Sequence, residues 1–184
     1  MKQLKSALLT YMVLVIITGI FYPFIVFGFG QMLFPEKANG SLITVNGEVI
    51  GSELIGQNFS GQKYLWSRPS ATSDFPYNAM ASGGSNLGPS NPQLFDTIKS
   101  RVQSLGATSM YPVPVDLVTA SGSGLDPEIS VAAAYFQVDR IAKSRGLDSV
   151  VVKNIINKNV SYPFLGIFGE SRVNVLKVNL ALDK

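Results

Sequence analysis

The segment Ser121-Gly122-Ser123-Gly124-Leu125-Asp126-Pro127-Glu128 joins small hydroxyl residues and glycines to an Asp-Pro-Glu that reads as the start of a helix. Glycine-rich loops feeding helix N-termini are where proteins hold phosphates, because exposed backbone N–H groups and the helix dipole both favour an anion. Ser121, Gly122, Ser123 and Gly124 are therefore candidate nucleotide contacts. The neighbouring residues point elsewhere. A phosphate loop of the form G-x-x-x-x-G-K-[ST] brings a lysine to the phosphates. Here Leu125 and Asp126 follow Gly124, and no basic residue occurs between Arg101 and Arg140. Asp126 as N-cap, with Pro127 in the first turn, would satisfy the orphan N–H groups of the helix by itself. The segment reads as a helix entrance, with an anion site as the alternative. A second Gly/Ser run, "ASGGSNLGPSNP", ends in the same Asn-Pro type of helix start.

Other chemistry is scarce. The chain has no histidine and no cysteine, which removes the commonest general base, the thiol nucleophile and most transition-metal sites. Its carboxylates are dispersed, without a D-x-D-x-D-G calcium loop. A serine nucleophile with a lysine base is formally open, but no pair is singled out. The expectation is a chain that is not an enzyme by itself, with no metal site and no cofactor of its own.

The elements that must position these residues begin with a hydrophobic one. No charged residue lies between Ser6 and Pro35. About 20 residues of helix, at roughly 1.5 Å each, cross a hydrocarbon core about 30 Å thick. Residues 1–35 are read as a transmembrane anchor with a span of about residues 7–28. A cleaved secretory signal is the competing reading, since Lys2 and Lys5 resemble its positive end. The apolar run outlasts a signal's core, however, and no small-x-small cleavage site follows. Lys2 and Lys5 precede the span while Glu36 and Lys37 cancel after it, so the positive-inside rule expects the N-terminus in the cytoplasm and residues 36–184 as an extracytoplasmic domain. Thr18 and Gly19 offer a small surface for close helix approach, and Pro23 a place for a bend.

The formal charge is +3, but two of the fifteen basic residues precede the span, which leaves thirteen against twelve acids and a net +1 for the rest. The signs are mixed and form no basic run, unlike a nucleic-acid footprint. Asn46-Gly47 between Ile43–Val45 and Val49–Ile50 predicts a hairpin with a type I′ turn. "KYLWSRP" suggests a further short strand ended by Pro69. Residues 67–92 read as a long ordered loop, because Phe75, Tyr77, Met80 and Leu87 supply residues that can be buried. Three helices are expected: one from Asn91 to about Gly106, one from Asp126 to about Arg145, and one capped by Asp148 or Ser149. In the terminal "VNVLKVNLAL", Leu176, Val178, Leu180 and Leu182 alternate with other residues, which predicts a half-buried strand. The fold class expected is α+β: one transmembrane helix, then one soluble domain with a small mixed or antiparallel sheet and about three helices.

The blocks "ITGIFYPFIV", "ANGSLI", "GSELIGQNFSG", "LWSRPSAT", "YNAMASGGSNLGPSNP", "PVPVDLVTASGSGLDPEIS", "VDRIAKSRGL" and "VNLALDK" occur in the order seen in the C subunit of the Kdp-type potassium-transporting ATPase of bacteria. The resemblance covers nearly the whole chain. It implies a place in a complex with a potassium-channel-like subunit, a P-type ATPase subunit and a small single-span subunit, in the bacterial inner membrane, where ATP and potassium are handled mainly by those partners. Two roles are implied for such a subunit. One is a catalytic chaperone that raises the pump subunit's affinity for ATP through an "SGSGLD"-like segment; the other is an extracytoplasmic cap over the ion entrance of the channel-like subunit. The lysine bias favours the cap and assembly role, since ATP is scarce outside the cytoplasm.

Overall fold

An apolar run at the N-terminus must satisfy its backbone within itself if it meets lipid, and the chain does this with one helical stretch, Lys2–Leu33. The computed structural model describes residues 2–106 and 111–184, and its internal contacts divide the chain into two units, Met1–Ser52 and Glu53–Lys184. In the first unit, α1 (Lys2–Ile16) passes through a π-helical turn (Ile17–Phe21) into α2 (Tyr22–Leu33), and a single turn, α3 (Pro35–Ala38), follows. None of the residues of α1, the π-turn and α2 is buried within the chain. The helix is long and apolar enough to cross a membrane.

The expected hairpin is present. β1 (Leu42–Val45) pairs antiparallel with β2 (Glu48–Ser52), with Val45 opposite Glu48 and a register shift between Ile43 and Thr44. Asn46 and Gly47 both adopt positive φ, 52° and 86°, as a type I′ turn requires.

The second unit is α+β. Helix α4 (Pro92–Ser104) opens as expected, with Asn91 Oδ1 accepting from the Gln93 N–H. Strand β3 (Glu128–Ser130) is followed by α5 (Val131–Phe136), α6 (Val138–Arg145), α7 (Ser149–Lys158), β4 (Val160–Ser161), β5 (Arg172–Asn174) and α8 (Val175–Leu182). The three strands form an antiparallel sheet in the order β3-β5-β4. Leu65, Ile129, Val138, Ile141, Val152, Ile156, Val173 and Val178 meet in one core. Asp148 caps α7, accepting from the Val150 N–H at 2.7 Å.

Several expectations are corrected. Asp126 does not cap a helix. Its Oδ1 accepts from the Glu128 N–H at 3.1 Å, which turns the chain into β3, where buried Ile129 pairs with Val173. The helix is capped four residues later, with Ser130 Oγ accepting from the Ala133 N–H. It also breaks at Gln137, giving α5 and α6 in place of one helix.

The C-terminal strand is a helix. Asn174 caps α8, and the buried set Val175, Leu176, Val178, Asn179 and Leu182 has helical spacing. An alternating apolar pattern over eight residues also contains a helical face, and burial at i, i+1, i+3, i+4 and i+7 is that face. Residues 64–69 form no strand. The described part of the second unit thus carries five helices where about three were expected. Residues 67–91 are irregular apart from one 3-10 turn, Ala79–Ala81, as the reading of a long loop requires.

Candidate functional site

The glycine run lies against the long loop, and the two are stitched together. Gly83 N–H donates to the Ser123 carbonyl at 2.9 Å and Ser121 N–H to the Pro69 carbonyl at 3.3 Å. Ser70 Oγ donates to the Gly124 carbonyl at 2.7 Å, and Ser82 Oγ to the Ser123 carbonyl at 3.0 Å. Within the run, Gly124 N–H donates to buried Ser121 Oγ at 2.9 Å, and Leu125 N–H to Ser123 Oγ at 3.1 Å. The N–H groups of Ser121, Gly124 and Leu125 are thus all engaged by the protein. Gly124 has φ +68°, and a Cβ there would stand 2.5 Å from Thr72 Cγ2 and 2.7 Å from the Gly83 carbonyl. Its glycine is required by the other loop's approach as well as by its own backbone. Gly122, by contrast, has nothing within 4 Å of a Cβ position.

The charge at this junction is internally balanced. Arg68 Nη1 lies 3.1 Å from Asp126 Oδ2 with both side chains partly exposed, and Nη2 donates to the Ala120 carbonyl at 3.3 Å. The Tyr77 hydroxyl donates to the Arg68 carbonyl at 2.5 Å. Burial pushes the Tyr77 phenol pKa up, with a hydrogen bond from Ser67 acting against it. A hollow of about 260 Å³ beside the ion pair is lined by Asp116, Asp126, Glu128 and Glu170 against Arg68 and Arg172, a setting that repels anions.

A larger cleft, about 380 Å³, opens on the other side of Arg68 and reaches Phe59, Trp66, Tyr77 and Arg101 with no carboxylate in its lining. Arg101 Nη1 donates to the Val118 carbonyl at 2.9 Å, and burial lowers its pKa. The cleft does not include Ser121, Gly122, Ser123 or Gly124. Among the described residues, no group of three or more acidic side chains is placed to hold a metal ion.

In the apolar helix the three singled-out residues fall together. Thr18 and Gly19 lie inside the π-turn, and Pro23 is in the first turn of α2. Proline has no N–H and crowds the carbonyl four residues earlier, here that of Gly19. The wider turn accommodates it, with the Tyr22 N–H donating to the Ile17 carbonyl. Thr18 Oγ1 donates back to the Leu14 carbonyl at 2.7 Å, so its hydroxyl is satisfied without a partner helix. Gly19 has open space where a Cβ would stand. Pro23, Phe24 and Phe27 line a shallow apolar hollow on α2.

Residues that sequence reasoning did not single out hold this region in place. Buried Gln137 and Asn179 bind the backbone of Trp66 and Leu65 from two sides. Gln137 Oε1 accepts from the Trp66 N–H at 2.8 Å, and its Nε2 donates to the Trp66 carbonyl at 3.1 Å. Arg140 stacks on the Trp66 ring with its guanidinium 3.7 Å from the centroid, and burial lowers its pKa to about 10. No local signal marks these amides, since Gln and Asn on a helix ordinarily face water.

A family model described as "K+-transporting ATPase, c chain" matches residues 4–184. Relatives named potassium-transporting ATPase KdpC subunit are similar over nearly their whole length. That of Methylococcus capsulatus is 56% identical, over 99% of this chain and 97% of the relative. That of Janthinobacterium sp. is 52% identical, over 98% and 97%, and that of Burkholderia orbicola 54% identical, over 100% and 97%.

Proposed function

The chain belongs to the KdpC family, the c chains of K+-transporting ATPases, and on that premise we propose that it is a non-catalytic accessory subunit of an ATP-driven potassium-uptake complex. It assembles with a channel-like subunit, a P-type ATPase subunit and a small single-span subunit, anchored in the inner membrane by the helix Lys2–Leu33. Its second unit lies outside the cytoplasm, where it caps or regulates the ion entrance of the channel-like subunit. The surface around Thr18, Gly19 and Pro23 meets a partner helix in the membrane, where a missing side chain allows close backbone approach.

One observation carries the choice against a nucleotide role. The 67–84 loop engages the Ser121 N–H and the Ser123 and Gly124 carbonyls, the Gly124 N–H is held by Ser121 Oγ within the run, the Gly124 conformation is fixed by the loop's approach, and the guanidinium beside it is engaged by Asp126. This supports a structural junction in a rigid domain. Lys2 and Lys5 before the span, with no net charge just after it, support the outside placement.

The cleft with Arg68 and Arg101 keeps a second reading in view, a catalytic chaperone that raises the ATP affinity of the pump subunit. Two measurements separate the readings. A periplasm-active reporter fused after Lys184 should be active, and a cytoplasm-active one silent. ATP titrated onto the purified chain should give no saturable binding below millimolar concentration. A cytoplasmic domain, together with micromolar binding lost on Arg101→Gln, would replace the cap with the chaperone.

A further inference from the structure

The connection between β4 and β5 contains Tyr162-Pro163-Phe164-Leu165-Gly166-Ile167-Phe168-Gly169, eight residues without a charge. Its five large side chains are 65% to 78% exposed. This is an ordered turn. Phe164 N–H donates to the Phe168 carbonyl at 2.9 Å, Phe168 N–H to the Phe164 carbonyl at 3.0 Å, and Gly166 N–H to the Pro163 carbonyl at 3.0 Å. Leu165 and Gly166 close it at φ 53° and 73°. A leucine in the left-handed region is uncommon, and here that conformation holds apolar side chains outward. Water-facing clusters of this kind mark interaction surfaces.

We propose that this hairpin tip inserts into the interfacial region of the bilayer in which the same chain is anchored, as a second membrane contact. The inference rests on the chain being membrane-anchored, and not on which side its domain occupies nor on a capping role. Three observations select lipid as the occupant. The apolar helix ends at Leu33 and the second unit begins at Glu53, so the second unit, tip included, is tethered to the helix by a short stretch of chain. The side chains are aromatic and aliphatic with one phenol, the composition that settles between headgroups and acyl chains, while charges resume only outside the tip, at Lys158, Glu170 and Arg172. The tip is also a narrow turn that projects single rings, which a fluid interface accepts without a matching pocket, whereas a protein partner needs shape complementarity.

The absence of cysteine makes the test direct. Leu165→Cys, Ile167→Cys and, as an exposed control, Lys153→Cys are spin-labelled in the full chain and reconstituted in nanodiscs of phosphatidylethanolamine and phosphatidylglycerol. Labels at positions 165 and 167 should relax several-fold more readily with oxygen than with a water-soluble nickel chelate, and the label at position 153 should show the reverse. The same measurement is repeated with the partner subunits present. Nickel access at 165 and 167 equal to that at 153 would place the tip in water and overturn the proposal. Shielding from both reagents only when partners are present would overturn it in favour of a protein contact. Neither result depends on the reporter or ATP experiments above.

Discussion

Asn179, in α8, binds both backbone polar groups of Leu65: the Leu65 N–H donates to Oδ1 at 2.7 Å and Nδ2 donates to the Leu65 carbonyl at 3.0 Å. Leu65 and Asn179 are both buried, so no water can substitute. Gln137 does the same for Trp66, and two side-chain amides thereby replace the neighbouring strand that this segment would otherwise need. Asn179→Leu should destabilise the domain, since each orphaned buried group costs about 1–3 kcal/mol. Urea unfolding followed by circular dichroism measures this. An unchanged midpoint would remove the clamp from any account of stability.

The glycine run offers a paired test. Gly124→Ala forces a Cβ into the Thr72 methyl and the Gly83 carbonyl at positive φ, a crowding cost of about 1–3 kcal/mol added to a left-handed backbone cost of about 1–2 kcal/mol. Gly122→Ala meets open space and should melt within a degree or two of the parent. Equal melting temperatures for the two variants would contradict the interlocked loops.

Asp126→Ala should still destabilise, through the Arg68 pair and the turn into β3 and not through a helix cap. In a double-mutant cycle with Arg68→Gln the two losses should couple by about 0.5–3 kcal/mol. Strict additivity would mean that the 3.1 Å pair contributes nothing.

Acid should weaken the C-terminal closure. Burial alone would push the Asp183 pKa up, but hydrogen bonds from Arg145 and Tyr64 outweigh it and leave the carboxyl below its ordinary value. Its stabilisation is therefore complete above the unfolded value, about 3.9, and is lost as pH falls through the lower folded value. The side chain is 42% exposed, so the effect is small, under about 1 kcal/mol. Asp183→Asn should flatten the stability curve over that acid limb, and a curve parallel to the parent's would refute the assignment.

Gly19→Leu should leave the isolated chain unaffected, because nothing within the chain stands near that position. Co-purification with the large subunits should fall. Undiminished recovery after detergent extraction would show that Gly19 faces lipid.

The glycine run shows how far sequence carries a candidate site. Its composition and its lack of a nearby cation were legible, and both argued against a phosphate loop. Its actual partners, Ser70, Thr72 and Gly83, are about 40 to 50 residues away in the chain, and no spacing rule links them. The same distance hid Arg68, which neutralises Asp126 from a segment that reads on its own as a short strand.

What the sequence determined by itself depends on interactions within a few residues: the apolar helix, from an unbroken run without charge; the Asn46-Gly47 turn, from two positive φ values; and the starts of α4 and α7, from Asn91 and Asp148 accepting from N–H groups two residues on. Only the tertiary structure decided the rest. Residues 175–182 satisfy both a strand and a helix pattern, and the choice was made by a core that takes in Val175, Leu176, Val178, Asn179 and Leu182 as one helical face. Asp126-Pro127-Glu128 satisfies a helix start, yet β5 offered Ile129 a buried place opposite Val173. Where local preferences are nearly equal, burying apolar area and pairing every buried backbone group decide between them, and both quantities belong to the whole fold.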